Sequence, residues 1–319
     1  MHGIFYADFI VKKRNIMIKG LAITPPILGR ISIGKMVEKN GKRIPEKDDQ
    51  FTITSQIQNK DSGWVKHPLD EQLRAKAPNQ KLRSIPVRMI FNDPELNLRA
   101  EYSLFDRQTG CPVCVGNGET CQRLTNQGVE QHPCPSPDLC PMAQGGNCKP
   151  YGRLHVNLDE SDELGTFIFR TTGFNSIRTL AARLSYYHAA SNGLLSCLPF
   201  QLTLRGKSTT QSYRTPVYYV DLTLRDGTNL QDAIQIAQEI DQHSKQAGFN
   251  QKALDQMAMQ CLANALFEVG GEEGLDIVEE FYSEEANVTA QSPTEQQSEE
   301  FFHVQDIQQG LRQSVQALN

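Results

Sequence analysis

A cluster of cysteines restricts this chain more than any other feature of its sequence. Six of the eight cysteines lie between Cys111 and Cys148, with the spacing C-x2-C-x6-C-x12-C-x5-C-x7-C. The N-terminal segment has neither the apolar run nor the cleavage site of a signal peptide, and no apolar stretch approaches the ~20 residues of a membrane span. We therefore expect a cytoplasmic protein with reduced thiols, in which a cysteine cluster indicates a metal site rather than disulfides.

The surrounding residues favour a closed structural zinc site over a redox or catalytic one. Cys111-Pro-Val-Cys114 is expected in a Gly/Pro-rich loop, not at the strand-to-helix junction of a redox motif. A tetrahedral zinc takes four thiolate or imidazole ligands, so six cysteines, with His132 as a substitute, leave the ligand set open. A two-zinc cluster would need a second C-x2-C step, and five residues separate Cys134 from Cys140. The segment also lacks the glutamate and P-C-x-x-C step of the zinc deaminases.

Charge is distributed unevenly along the 319 residues. Residues 1–110 carry 19 Lys and Arg against 12 Asp and Glu, residues 111–225 carry 10 against 8, and residues 226–319 carry 3 against 17. The net charge of −5 is therefore the sum of a basic N-terminal part of +7, a middle part of +2 and an acidic C-terminal part of −14. Basic residues near a polyanion release counterions and give affinity for nucleic acid, which makes DNA an expected partner. An acidic C-terminal part shields the basic surface, recruits another partner, or serves only solubility.

Hydrophobic alternation predicts short strands in most of the first 227 residues, with an Asn40-Gly41 hairpin turn in the segment 29–55. The further predicted strands are 84–91, 98–106, 152–158, 164–172, 198–206 and 215–227. A helix follows the candidate N-cap Asn175-Ser176, so the middle of the chain is predicted to be β-β-α-β-β. The predicted fold class is α+β: an antiparallel β-rich core with one packed helix, an inserted Cys-rich zinc loop, and a C-terminal helical region with an acidic tail.

This pattern divides the chain into five parts. They are a basic β-rich part at 1–110, the Cys-rich zinc loop at 111–150, the β-β-α-β-β part of the same core at 151–227, a helical region at 228–282, and an acidic linker with a C-terminal segment at 283–319. The linker is rich in Gln, Ser and Thr, which predicts disorder. The apolar residues return in 301–319, a segment that serves either as a docking peptide for a partner or as a helix folded back on the core.

The basic residues of the predicted hairpins are the candidate nucleic-acid contacts, although ordinary surface charge is the alternative. They are Arg30, Lys35, Lys42 and Arg43 in the first hairpin, and Lys207 and Arg214 near the tip of the last one. Gly206-Lys207-Ser208-Thr209 is not a phosphate-binding loop, because Gln201 stands where the motif requires glycine. The segment also lies between two strands, whereas phosphate binding requires the start of a helix.

Three longer segments occur in a specific order. They are GRISIGKMVEKNGKRIPEKDDQFTIT at 29–54, CPSPDLCPMAQGGNCKPYGRLHVNL at 134–158 and LGTFIFRTTGFNSIRTLAARL at 164–184. Together with the two strands that follow, they resemble the phage-encoded recombination directionality factor-like family. Homologues on integrative conjugative elements are often labelled "hydrolase or metal-binding protein". The resemblance covers roughly residues 20–225 and does not include the helical region or the acidic tail.

The resemblance implies a non-enzymatic accessory protein of mobile-element DNA recombination. The best-known family members bind a serine integrase already on DNA and switch it from integration to excision. The resemblance also implies Cys114, Cys134, Cys140 and Cys148 as ligands of a structural Zn²⁺, with Cys111 and Cys121 as the extra pair. The chain has no nucleophile elbow, HExxH or clustered His/Asp that would support the label "hydrolase". A metal-dependent enzyme acting on nucleic acid is the alternative function.

Overall fold

The computed structural model describes residues 26–39, 42–59, 63–158, 165–208, 210, 214–262 and 271–282. In this part of the chain a large mixed sheet dominates the architecture. Its strands are β1 (Ile27–Lys39), β2 (Lys42–Asn59), β3 (Gly63–Lys66), β4 (Ser84–Met89), β5 (Leu98–Phe105), β6 (Pro112–Gly116), β7 (Thr120–Thr125), β8 (Gly128–Pro133), β9 (Cys148–Leu158), β10 (Thr166–Thr171), β11 (Phe200–Lys207) and β12 (Val217–Leu224). The helices are α1 (Pro68–Lys76), α2 (Pro94–Asn97), α3 (Ser136–Leu139), α4 (Phe174–Ala190), α5 (Leu230–Gln246), α6 (Gln251–Leu262) and α7 (Gly271–Phe281).

The order of strands in the sheet is β3-β2-β1-β10-β9-β5-β6-β7-β8, and β9 also pairs with β4, which leads to β11 and β12. The first hairpin is confirmed, because β1 and β2 pair antiparallel as far as Lys39 and Lys42. The predicted antiparallel β-rich core has one exception, because β1 runs parallel to β10. A parallel pair requires a crossover, and here the crossover contains all the strands from β2 to β9.

The two faces of the sheet differ in polarity because side chains alternate along each strand. One face, named here the core face, is apolar and packs against α1 and α4. Its buried residues include Ile31, Phe51, Ile53, Val87, Leu154, Val156, Phe167, Phe169, Leu202 and Leu222, with Leu180 and Leu184 from α4 and Leu69 and Leu73 from α1. The opposite face of the central strands carries charged and polar side chains and is named here the polar face.

The middle of the chain has the predicted β-β-α-β-β order, from β9 through α4 to β12. The predicted N-cap is wrong by about one turn: α4 begins at Phe174 after Gly173, whose extended backbone serves as the cap. Ser176 is buried inside the first turn, where its hydroxyl group accepts a hydrogen bond from the Val220 N–H of β12 at 3.1 Å. This serine therefore joins the helix to the sheet instead of starting the helix.

The prediction of a single packed helix is also wrong, because α1 packs on the sheet as well. Leu69 and Leu73 are one turn apart and are both buried in the core, and His67 caps the helix by accepting from the Leu69 N–H. The predicted helical region is confirmed as α5, α6 and α7, with residues 263–270 outside the described residues. The predicted acidic linker and C-terminal segment, 283–319, also lie outside them.

The cysteine segment is not the irregular loop that the sequence predicted. Strands β6, β7 and β8 form an antiparallel meander that extends the sheet beyond β5. Asn117 closes the β6–β7 turn, because its side-chain oxygen accepts from the N–H groups of Glu119 and Thr120 at 2.9 Å. The glycines and prolines of this segment therefore connect short strands, and the cysteines lie at fixed positions in the sheet.

No helix among the described residues is long and apolar enough to cross a membrane.

Candidate functional site

Strand β5 lies between the strands that carry two of the predicted zinc ligands. Leu104 pairs with Cys148 on β9 and, across its other edge, with Cys114 on β6. Directly paired residues of neighbouring strands point to the same face of a sheet. Cys114 and Cys148 therefore share one face, with a single residue between them.

Gly116 creates the space into which two further cysteines fit. It pairs with Cys121 on β7, which pairs in turn with His132 on β8, so these residues lie on the same face as Cys114. A Cβ atom on Gly116 would lie 2.6 Å from the Cβ of Cys121 and 2.9 Å from the Sγ of Cys134. Only glycine leaves room for both side chains at this position.

The remaining predicted ligand, Cys140, lies in the connection between α3 and β9. The pKa of Cys148 is raised to about 12, first by burial and then by the negative charges that Cys114, Cys134, Cys140 and Cys121 carry when ionised. The other four thiols therefore lie within electrostatic range of Cys148, and the five together are named here the cysteine group. It contains all four ligands that the family resemblance implies, together with Cys121.

Arg123 is a member of this site that the sequence analysis missed. It pairs with Cys114 across β6 and β7, and its positive charge acts on the Cys114 thiol. Burial raises the pKa of Cys114 to about 11, while Arg123 acts in the opposite direction. A metal ion must therefore displace protons from these thiols on binding, and the guanidinium group stabilises the thiolate form. Knowledge of the β6–β7 register would have been needed to find this residue.

The other two candidate ligands have different surroundings. Cys111 precedes β6, and its thiol lies 3.8 Å from the Thr109 carbonyl oxygen. His132 contacts Glu130, with 3.2 Å between Nε2 and Oε2. Within the described ranges, no three His, Cys, Asp or Glu side chains are spaced to hold a metal ion. This agrees with the pKa shifts, because charges act over longer distances than the ~2.3 Å of a Zn–S bond.

The predicted nucleic-acid residues lie on two separate hairpins of the sheet. Lys35, Lys42 and Arg43 belong to the outer part of the β1–β2 hairpin, beyond the residues that pair with β10, and their side chains are outside the described ones. Lys207 ends β11, and Arg214 lies just before β12 with a positive φ of 61°.

Arg30 differs from these residues because it lies within the sheet. Its guanidinium group stacks over Trp64 at 3.8 Å from the ring centre, and it lies 3.9 Å from the Asp276 carboxylate of α7. The site predicted at Arg30 is therefore covered in part by the C-terminal helix.

A second basic feature was missed by sequence reasoning. Arg99 on β5 pairs with Arg153 on β9, which pairs with Arg170 on β10, so three arginines lie side by side on the polar face. Each one belongs to a strand that the sequence predicted. Only the register between those strands brings them together, and alternation within one strand does not contain that information.

A known protein family matches the part of the chain that forms the sheet. No curated protein and no solved structure matches the chain at the level of significance applied. Residues 28–225 match the family described as Recombination directionality factor-like. This range contains β1 without its first residue, all of β2 to β12, and the whole cysteine group. The match covers most of the chain and agrees in extent with the segments that carry the resemblance. The chain belongs to the recombination directionality factor-like family.

Proposed function

We propose that this chain is a non-enzymatic, zinc-containing accessory protein of mobile-element DNA recombination that binds a recombinase, DNA or both. The observation that carries this proposal is the family match over residues 28–225. By this proposal the chain binds a serine integrase and changes the direction of recombination from integration to excision. The segment 301–319 is the candidate docking peptide for such a partner.

We further propose that the cysteine group holds one structural zinc ion. The residues fit this ion in their chemistry, because thiolates are preferred zinc ligands and four further thiols lie within electrostatic range of Cys148. Cys114, Cys134, Cys140 and Cys148 are the proposed ligands. The ion would join β6 and β9 to the connections around them, and ligand binding of this kind contributes directly to folding.

The recombination role is tested with the purified chain, the serine integrase of the same mobile element, and DNA substrates for integration and excision. We expect the chain to promote excision, to inhibit integration, and to co-purify with the integrase. Unchanged reaction direction together with no co-purification would overturn the proposal. A turnover of nucleic acid by the chain alone, lost on metal removal while the fold is retained, would instead support the metal-dependent enzyme.

The zinc site is tested by elemental analysis combined with thermal unfolding in chelator. We expect one zinc per chain, and loss of most of it in Cys148→Ser and Cys134→Ser. Cys197→Ser is the matched control, since Cys197 packs against the apolar core and not in the cysteine group. A metal-free chain whose melting temperature does not change in chelator would overturn the zinc proposal and leave the recombination role to be judged by its own assay.

A further inference from the structure

The polar face carries a row of arginines across its central strands. Arg99, Arg153 and Arg170 pair directly with one another on β5, β9 and β10. Neighbouring strands lie about 4.8 Å apart, and like charges directly opposite one another destabilise a sheet. Arg153 contacts the Glu101 carboxylate at 2.8 Å. The register therefore places three arginines next to one another on one face of the sheet, and Glu101 forms an ion pair with the middle one.

A buried histidine lies on the same face as these arginines. His155 is almost fully buried two residues beyond Arg153, and its pKa is lowered to about 3 by burial and then by the positive charges of Arg99, Arg153 and Arg170. His155 pairs with Ile168, which pairs with Arg30 on β1. Arg30 therefore extends the row on the same face by one strand. These four arginines are named here the arginine face.

An acidic helix packs along this face. The segment 271–281, which forms α7, contains five Asp and Glu and no Lys or Arg. The Asp276 carboxylate lies 3.9 Å from Arg30 and accepts a hydrogen bond from Gln58 at 3.0 Å. Phe281 packs edge-to-face on Tyr151, and the Arg153 guanidinium group lies 5.2 Å from the Tyr151 ring centre.

The start of α7 depends on a close approach between two glycines. A Cβ atom on Gly274 would lie 2.5 Å from the Gly110 carbonyl oxygen, and Gly110 has a positive φ of 72°. Leu275, the next residue of the helix, is 48 % exposed. A side chain at position 274 would therefore push the helix away from the sheet without a change in charge.

We propose that the arginine face binds phosphate groups of a nucleic-acid backbone, and that α7 covers part of it as an internal competitor of the same charge. Guanidinium groups bind phosphates through paired, charge-assisted hydrogen bonds. Such contacts give affinity without reading the base sequence. The proposal rests on the recombination role above, which brings the chain to DNA, and it locates the DNA contact on the central strands instead of the hairpin tips.

The arginine face is tested by fluorescence anisotropy of a short labelled duplex with the full chain and its Arg99→Gln and Arg170→Gln variants. We expect each variant to bind about tenfold more weakly and to reduce the salt dependence by about one phosphate contact. Arg178→Gln is the matched control, because it removes an equal charge from an exposed position on α4, on the core-face side. Wild-type affinity in both variants of the row would overturn the proposal.

The covering role of α7 is tested with Gly274→Val, for which Leu275→Ala is the control on the exposed side of the same helix. We expect Gly274→Val to bind the duplex several-fold more tightly and Leu275→Ala to bind as the wild type does. Unchanged affinity in Gly274→Val would refute competition by α7.

Two further readouts keep the proposal falsifiable if a variant does not fold. Trp64 is the only tryptophan of the chain and stacks on Arg30, so an unlabelled duplex should change the tryptophan emission of the wild type. No change at saturating duplex would contradict DNA binding at this face. Co-purification of each variant with the integrase is measured in parallel. Weaker DNA binding with integrase binding retained would support a DNA site at the arginine face. A folded variant that loses DNA binding and integrase binding together would overturn the proposal of a separate DNA site.

Discussion

The Tyr282 hydroxyl group donates a hydrogen bond to the Asn147 carbonyl oxygen at 2.8 Å, one residue before Cys148. The Tyr282 hydroxyl oxygen in turn accepts a hydrogen bond from the Phe105 N–H at 3.2 Å. The end of α7 is therefore attached to the backbone at the end of β5 and at the start of β9. Because Cys148 points to the opposite face from Lys149, the helix and the cysteine group lie on opposite faces of the same strand.

Replacement of Tyr282 by phenylalanine should loosen α7 without unfolding the sheet. Removal of the hydroxyl group leaves the Phe105 N–H and the Asn147 carbonyl without this partner, at a cost of about 1–3 kcal/mol. Hydrogen exchange should accelerate at the α7 amides and stay unchanged at those of β9. Tyr186→Phe, at an exposed position of α4, is the control; equal exchange in wild type and Tyr282→Phe would refute the attachment.

Replacement of Asp70 by asparagine should destabilise the whole domain. The carboxylate is fully buried, accepts from the Ile53 N–H at 2.9 Å and contacts Arg74 Nε at 2.6 Å. Breaking one side of a buried ion pair costs about 3–5 kcal/mol. Urea denaturation should report this loss, whereas Glu71→Gln, in the next and exposed position, should change stability by less than about 0.5 kcal/mol.

Replacement of Gly116 by alanine should disturb the cysteine group specifically. The added methyl group would displace Cys121 or Cys134, and overpacking of this kind costs about 1–3 kcal/mol. We expect a lower melting temperature, faster reaction of Cys134 with a thiol reagent, and less bound zinc. Gly206→Ala is the control, since its new Cβ would meet Tyr218 at an ordinary 3.5 Å. Identical thiol reactivity in the Gly116 variant and the wild type would argue against the contact.

The neutral His155 should make the fold sensitive to acid. Its pKa is about 3 in the folded chain against the ordinary 6.5, so the unfolded chain takes up a proton that the folded chain does not. The stabilisation is complete above pH 6.5 and is lost as the pH falls towards 3, at up to about 1.4 kcal/mol for each pH unit.

Denaturation curves recorded between pH 7 and pH 4.5 measure this slope. His155→Gln should flatten it, whereas His243→Gln, at an exposed position of α5, should leave it unchanged. A slope that is the same in His155→Gln and the wild type would assign the acid sensitivity to other groups.

The sequence predicted most of the strands because each one carries its own alternation of apolar and polar residues. Segments 84–91 and 98–106 correspond to β4 and β5, and the last two predicted strands correspond to β11 and β12. The strands β6, β7 and β8 were missed, because their glycines, prolines and exposed polar residues are typical of turns. Pairing with β5, and not local hydrophobicity, stabilises them as strands.

The candidate site could be predicted in composition but not in arrangement. The spacing of cysteines indicated the residues of the cysteine group, but the position of Arg123 beside Cys114 depends on the β6–β7 register. The contact of α7 with Tyr151 joins residues about 130 positions apart in the sequence, and amphipathicity indicates only that such a helix has an apolar side. Packing partners of this kind are decided by tertiary structure.

The parallel pairing of β1 with β10 has a consequence for synthesis of the chain. Ile27 aligns with Thr166, so the β1–β2 hairpin forms from local contacts but cannot join the sheet until β10 has left the ribosome. Pairings between distant segments slow folding, and an unpaired strand edge is prone to association with other chains. The growing chain therefore exposes the free edge of β1 until β10, which ends at Thr171, has been synthesised, and a chaperone that binds extended segments would act at this stage.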